Sequence, residues 1–160
     1  MAENQALQDA YKTMTERIDK PLPPCDWFQV IQERINDFAD VTMDHQWIHV
    51  EVERAKAGPF GAPIAHGQLT LSIMGHLPRS TPEQPEGERL PGQKMGINYG
   101  FDRVRFPNPV KAGARVRSQR TLKRVEIKGD MLETMYEVIL EIEGEAKPAC
   151  VAESLGRMVF

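Results

Sequence analysis

The segment HGQLTLSIMGHL, residues 66–77, constrains this chain more than any other. Leu69, Leu71, Ile73, Met74 and Leu77 make it apolar nearly all round, which predicts a helix enclosed by other structure. Pro78 stops it, because proline cannot continue the hydrogen-bond ladder. The enclosing material follows in the C-terminal part of the chain, which reads as strands. Leu132, Tyr136, Val138, Leu140 and Ile142 share one face of a period-two pattern, with Glu133, Glu137 and Glu141 on the other. Lys128-Gly129-Asp130 and Glu143-Gly144-Glu145 predict hairpin turns. Ala149, Ala152, Ser154 and Gly156 suggest a last strand packed closely on both faces. About four antiparallel strands wrapped on one apolar helix make an α+β layout.

Upstream, Leu7, Tyr11, Met14 and Ile18 fall at helical spacing and predict a short amphipathic helix, ended by the prolines of PLPPC. Trp27 to Ile31 reads as a strand and Glu33 to about Val41 as a helix, with Ile35, Phe38 and Ala39 on one face. Next come DHQWIH, a helical or turn segment VEVERAKAG, and an irregular loop GPFGAPIA. PRSTPEQPEGERLPGQ is rich in proline, glycine and charge and reads as a long surface loop. The expected organisation is an N-terminal helix and proline-rich linker over residues 1–24, then a single domain over 25–160. There is no internal repeat.

Composition narrows the function classes. With 27% charged and 41% hydrophobic residues the chain fits an ordinary globule. A net charge of −3 gives no electrostatic reason to expect nucleic acid or an anionic membrane. Arg103, Arg105, Lys111, Arg115, Arg117, Arg120, Lys123 and Arg124 do cluster; they are either solvated strand faces or a patch for a phosphate-bearing substrate. Cys25 and Cys150 lack a C-x-x-C spacing and read as buried free thiols of a reducing compartment. The polar N-terminus does not resemble a signal peptide, and no apolar run approaches the ~20 residues of a membrane span. A cytoplasmic location is the expectation.

DHQWIH, residues 44–49, offers two chemistries. His45 and His49 are spaced as in the zinc motif H-E-x-x-H, but Gln46 stands where the glutamate would act as base, and an amide takes no proton. Such a site also lacks a defined third ligand, although His66, His76 or a distant carboxylate is available. Alternatively Asp44 and His49 aim a carboxylate and an imidazole at one water. On an ideal helix they would stand ~140° apart, so that reading requires a bent loop leading into a helix. The plainer alternative has Asp44 capping the next turn and His49 buried in the core. Gly67, at the N-terminus of the apolar helix, presents an N–H unpaired within the helix to any ligand carbonyl, or simply starts a tightly packed helix.

Together, FADVTMDHQWIHVEVERAKAGPFGAPIAHGQLTLSIMGHL and INYGFDRVRFPNPVKAG resemble the MaoC-like, (R)-specific enoyl-CoA hydratases of the hotdog fold, in the branch of the nodulation-protein-N-like hydratases. The resemblance spans roughly residues 26–160. It implies hydration of trans-2-enoyl-CoA to (R)-3-hydroxyacyl-CoA without metal or redox cofactor, in a homodimer with the acyl tunnel near the subunit interface. It also implies that Asp44 and His49 are the catalytic pair and that the Gly67 N–H meets the thioester carbonyl. Gln46 and Trp47 stand where the best-known pattern has asparagine and proline; Gln46 keeps an amide in a substrate-binding position. Ile31 stands where a helix cap would be natural. Trp47, Phe60, Ile64 and Leu69 are candidates for a tunnel wall or for core packing. His45 and His76 read as structural or exposed, and His66 as orienting its loop. A thioesterase and a non-catalytic acyl-thioester-binding module are the alternatives on the same fold.

Overall fold

The computed structural model describes residues 4–77 and 89–160, the side chain of His76 excepted. Its elements are helix α1 (Gln5–Thr15), strand β1 (Phe28–Gln29), helices α2 (Gln32–Thr42), α3 (Trp47–Val50), α4 (Val52–Lys56) and α5 (Gly67–His76), then strands β2 (Met95–Arg105), β3 (Arg115–Lys128), β4 (Met131–Ile142) and β5 (Cys150–Val159). The strands form one antiparallel sheet in the order β1-β3-β4-β5-β2. Most of the expected surface loop between α5 and β2 lies outside the described residues.

The hairpins stand where the turn residues put them. Gly129 (φ 64°) turns β3 into β4 and Gly144 (φ 79°) lies between β4 and β5, in a left-handed conformation that favours glycine. Register then brings Leu140 opposite both Ser118 and Cys150, and Val138 opposite Ala152. The even-numbered face of β4 is the apolar one, as the alternation predicts. Leu69, Ile73 and Met74 of α5, and Leu77 at its C-cap, pack with Val116, Val138, Leu140, Ile142 and Ala152 of the curled sheet. This is the hotdog arrangement of a sheet around a helix.

Three expectations change. First, α5 is not enclosed all round: Gln68, Ser72 and Gly75 form an exposed stripe with Leu71 half-buried. Second, α1 shares the sheet with α5. Its Leu7, Ala10 and Met14 pack with Leu122, Val125, Leu132 and Phe160, and Tyr136 touches both cores. Tyr11, assigned to the buried face, is exposed because the apolar stripe runs through Ala10 instead. α1 also ends at Thr15, before the prolines, in a turn that carries Asp19 at φ 59°. Third, Glu133, placed on the solvent face by alternation, is 7% exposed. Arg157 and Arg124 cover it, at 2.7 and 3.9 Å, which offsets the cost of removing a carboxylate from water.

The strand expected over Trp27–Ile31 shrinks to β1, although Val30 N–H still bonds Ala114 O at 2.9 Å before α2 begins. Ile31 occupies the N-cap of α2 and supplies no side-chain bond. Cys25 and Cys150 are buried and free. Among the described residues no helix is long and apolar enough to cross a membrane.

Candidate active site

The site is assembled where α2, α3 and the start of α5 meet. α2 stops at Met43, whose backbone is left-handed (φ 61°). A non-glycine residue pays about 1–2 kcal/mol for that conformation. Residues 44–46 are then non-helical and α3 begins at Trp47, so DHQWIH is a bent junction and not a helix. The bend rules out a helical His45/His49 pair. His45 lies outside the helix, exposed, with its Nε2 2.7 Å from Asp40.

His49, on α3, is 6% exposed. Its Nδ1–H donates to Ile64 O at 2.6 Å, which puts the proton on Nδ1 and leaves a lone pair on Nε2. Gln32 on α2 anchors the same residue by donating to the His49 carbonyl at 2.8 Å. Burial holds the His49 imidazole below its ordinary range. The bond to Ile64 opposes that shift, the neighbouring His66 adds to it, and Asp44 opposes it. A neutral imidazole with a free lone pair is what a general base requires.

His66, at the N-cap of α5, is 1% exposed. Its Nε2–H donates to the Asp44 carbonyl at 2.9 Å, and its ring stacks on His49 with centroids 3.7 Å apart and planes 25° from parallel. One oxygen of Asp44 and one ring nitrogen each of His49 and His66 lie within 4.8 Å of one another. A metal binds along an imidazole's in-plane lone pair, at ~2.0–2.1 Å. Two nearly parallel stacked rings direct those lone pairs side by side rather than to one point, so the trio fits a shared ion poorly. The Asp44 carboxylate is exposed and accepts no hydrogen bond among the described residues, so it is free to hold water.

Gly67 opens α5 next to this cluster, half-buried, and its N–H has no described partner. Phe106 lies directly over it: a Cβ at position 67 would stand 3.0 Å from Phe106 Cε2. Phe106 lies in the INYGFDRVRFPNPVKAG segment that carries the resemblance, but the resemblance assigns it no role; the fold brings it over α5. Gln46 is exposed at the N-cap of α3, where its side chain makes no capping bond, and its carbonyl accepts His49 N–H at 2.9 Å.

Of the tunnel-wall candidates, Ile64 and Leu69 are buried and Phe60 is half-buried. Trp47 packs locally, under the Arg54 guanidinium at 4.6 Å and against Gly58. The basic cluster is largely paired: Arg103 with Glu153, Arg115 with Glu143, Arg117 with Glu141, Lys123 with Asp19, and Arg124 with Glu126. That favours solvated strand faces over a phosphate patch.

Residues 13–142 match the family model described as MaoC like domain. The chain belongs to the MaoC-like dehydratase family. It is 49% identical over 135 residues to the 3-hydroxyacyl-thioester dehydratase Z of Mycobacterium tuberculosis, covering 84% of this chain and 85% of that one. It is 48% identical over 138 residues to nodulation protein N of Rhizobium leguminosarum bv. viciae, covering 85% and 83%. Among solved structures, the R-hydratase PhaJ1 of Pseudomonas aeruginosa superposes with a TM-score of 0.65 at 18% identity, over 89% of this chain and 81% of that one. The last likeness bears on the MaoC-like fold alone.

Proposed function

We propose that this protein catalyses the (R)-specific hydration of trans-2-enoyl-CoA thioesters to (R)-3-hydroxyacyl-CoA, and the reverse dehydration. That it is a hydro-lyase of the dehydratase kind follows from its family and from relatives 49% identical to it. The observation that carries the finer reading is His49, its Nδ1–H engaged by Ile64 O and a ring nitrogen within 4.8 Å of an Asp44 carboxylate oxygen, next to Gly67, whose N–H has no partner among the described residues.

In this reading Asp44 and His49 Nε2 hold one water between them. As its oxygen attacks C3, the pair takes the water's proton, and electron density moves through C2 to the thioester oxygen. The Gly67 N–H, at the positive end of α5, stabilises that developing charge. The proton then returns to C2 on the same face, so the product is substrate plus water. The formal changes at C2 and C3 cancel, so the reaction balances without a redox cofactor.

A second copy of the chain belongs to the same proposal. β2 is an edge strand with Met95, Ile97 and Tyr99 all more than 40% exposed, and an open apolar edge favours pairing with another strand. Light scattering on the purified protein is expected to give twice the chain mass. A cytoplasmic location is also part of this reading.

The activity test is incubation with crotonyl-CoA, following loss of the enoyl-thioester absorbance and resolving the product by chirality. (R)-3-hydroxybutyryl-CoA is the expected product. Release of free CoA from a saturated acyl-CoA without hydration would make the protein a thioesterase. Binding without turnover would make it a carrier or interaction module. Either result overturns the proposal.

A further inference from the structure

We propose that His66 is a positioning residue that clamps Asp44, His49 and Gly67 into one constellation. This rests on the acid–base roles proposed above for Asp44 and His49. Two contacts of its buried side chain and its place in the main chain carry it. Its Nε2–H bond at 2.9 Å ties the Asp44 carbonyl, in a link with no helix or strand of its own, to the start of α5. Its ring stacks on His49 at 3.7 Å. Its main chain is covalently continuous with Gly67.

The stack adds something that the bond to Ile64 cannot. A single in-plane hydrogen bond at Nδ1 still lets the His49 ring tilt about the bond axis, and that tilt would turn the Nε2 lone pair away from the water proposed above. A second ring lying flat against it blocks the tilt. Phe38, with its centroid 5.0 Å away, supports His66 in turn from α2. The remaining nitrogen of His66, Nδ1, is buried without a hydrogen-bond partner among the described residues. An orphaned buried acceptor costs roughly 1–3 kcal/mol, which simple packing by phenylalanine would avoid. Filling space therefore does not account for the residue.

The ionisable groups acting on His49 are His66 from the start of α5 and Asp44 from the α2–α3 link, while α2 presents Phe38 to the stack. Removing His66 takes away one of the causes that keep His49 neutral.

Two variants separate the contacts. His66→Phe keeps a stacked ring and loses the donor; His66→Gln keeps an N–H within reach of Asp44 and loses the ring. Misplacement by about 1 Å costs up to ~100-fold in rate, so kcat is expected to fall roughly 10- to 100-fold in each, with KM changed by less than about threefold. The acid limb of kcat/KM should move to higher pH in both. Imidazole titration of His49 by NMR reads the clamp without turnover, and its midpoint should rise in both variants. In the wild type, ring-nitrogen shifts should show the proton of neutral His66 on Nε2. Unchanged kcat with an unchanged His49 midpoint in a folded variant would overturn the clamp, as would the Nδ1–H tautomer of His66 in the wild type. If the wild-type protein hydrates no enoyl thioester, the proposed function fails, while the NMR titration still decides the clamp.

Discussion

Asp44→Asn separates chemistry from stability in this protein more cleanly than any other substitution. The Asp44 side chain is exposed and accepts no hydrogen bond among the described residues, and the bond that fixes the residue runs through its carbonyl, which the substitution keeps. The new side chain has the same shape. An exposed replacement of this kind changes stability by about 0.5 kcal/mol or less. At roughly 2–4 °C per kcal/mol for a domain of this size, the melting temperature should move by no more than about 2 °C. The rate should respond quite differently. Losing one partner of an acid–base pair costs about 10²–10⁴-fold, or ~2.7–5.4 kcal/mol of transition-state stabilisation at 1.36 kcal/mol per tenfold. The pH profile supplies an independent sign. Asp44 attracts a proton to His49, so its removal lowers the His49 pKa further and moves the acid limb of the residual activity to lower pH, opposite to the His66 variants. The assay is crotonyl-CoA hydration over a pH series beside a thermal melt. Turnover within twofold of wild type would refute the role of Asp44. A melting temperature lowered by many degrees would instead make it a structural cap.

Other outcomes follow from burial. The unfolded His49 imidazole takes up a proton near 6.5 and the folded one only at lower pH, so the unfolded state binds more protons between those values. Stability should therefore fall as pH drops below about 6.5 and be insensitive to His49 above it, and His49→Gln should flatten that slope in urea titrations. Burial pushes the Cys150 thiol up to about 11. A thiol reagent at about pH 8 should leave Cys150 unmodified in the native protein and label it once denaturant is added; rapid native labelling would contradict its burial. Leu132, 0% exposed, packs in the α1 core. Leu132→Ala should cost about 2–5 kcal/mol by urea denaturation; a cost below about 1 kcal/mol would mean that α1 docks loosely.

What the sequence determined by itself was local in origin. Period-two alternation placed the apolar face of β4, turn glycines placed the hairpins, and α2 stands over Gln32–Thr42, within a residue of its expected bounds. The resemblance carried by DHQWIH and AHGQL led to the family that the match over residues 13–142 shows, and it put Asp44, His49 and Gly67 forward as the candidate site. Alternation failed at Glu133 because its burial comes from Arg157 on a neighbouring strand, which the periodicity of β4 does not record. Apolarity alone likewise did not show that α1 would share the sheet with α5.

Only tertiary structure decided how the site is held. The bend that joins Asp44 to His49 rests on a left-handed methionine, Met43, which local propensity disfavours, and the next residue's carbonyl is held from outside the segment by His66. The carbonyl that sets the His49 tautomer lies 15 residues away, and the imidazole that bonds Asp44 lies 22 residues away. Phe106 reaches Gly67 from beyond β2. Spacing along a chain encodes neighbours within one helix or strand. These contacts join separate elements, and the packing of α2, α3 and α5 brings them together.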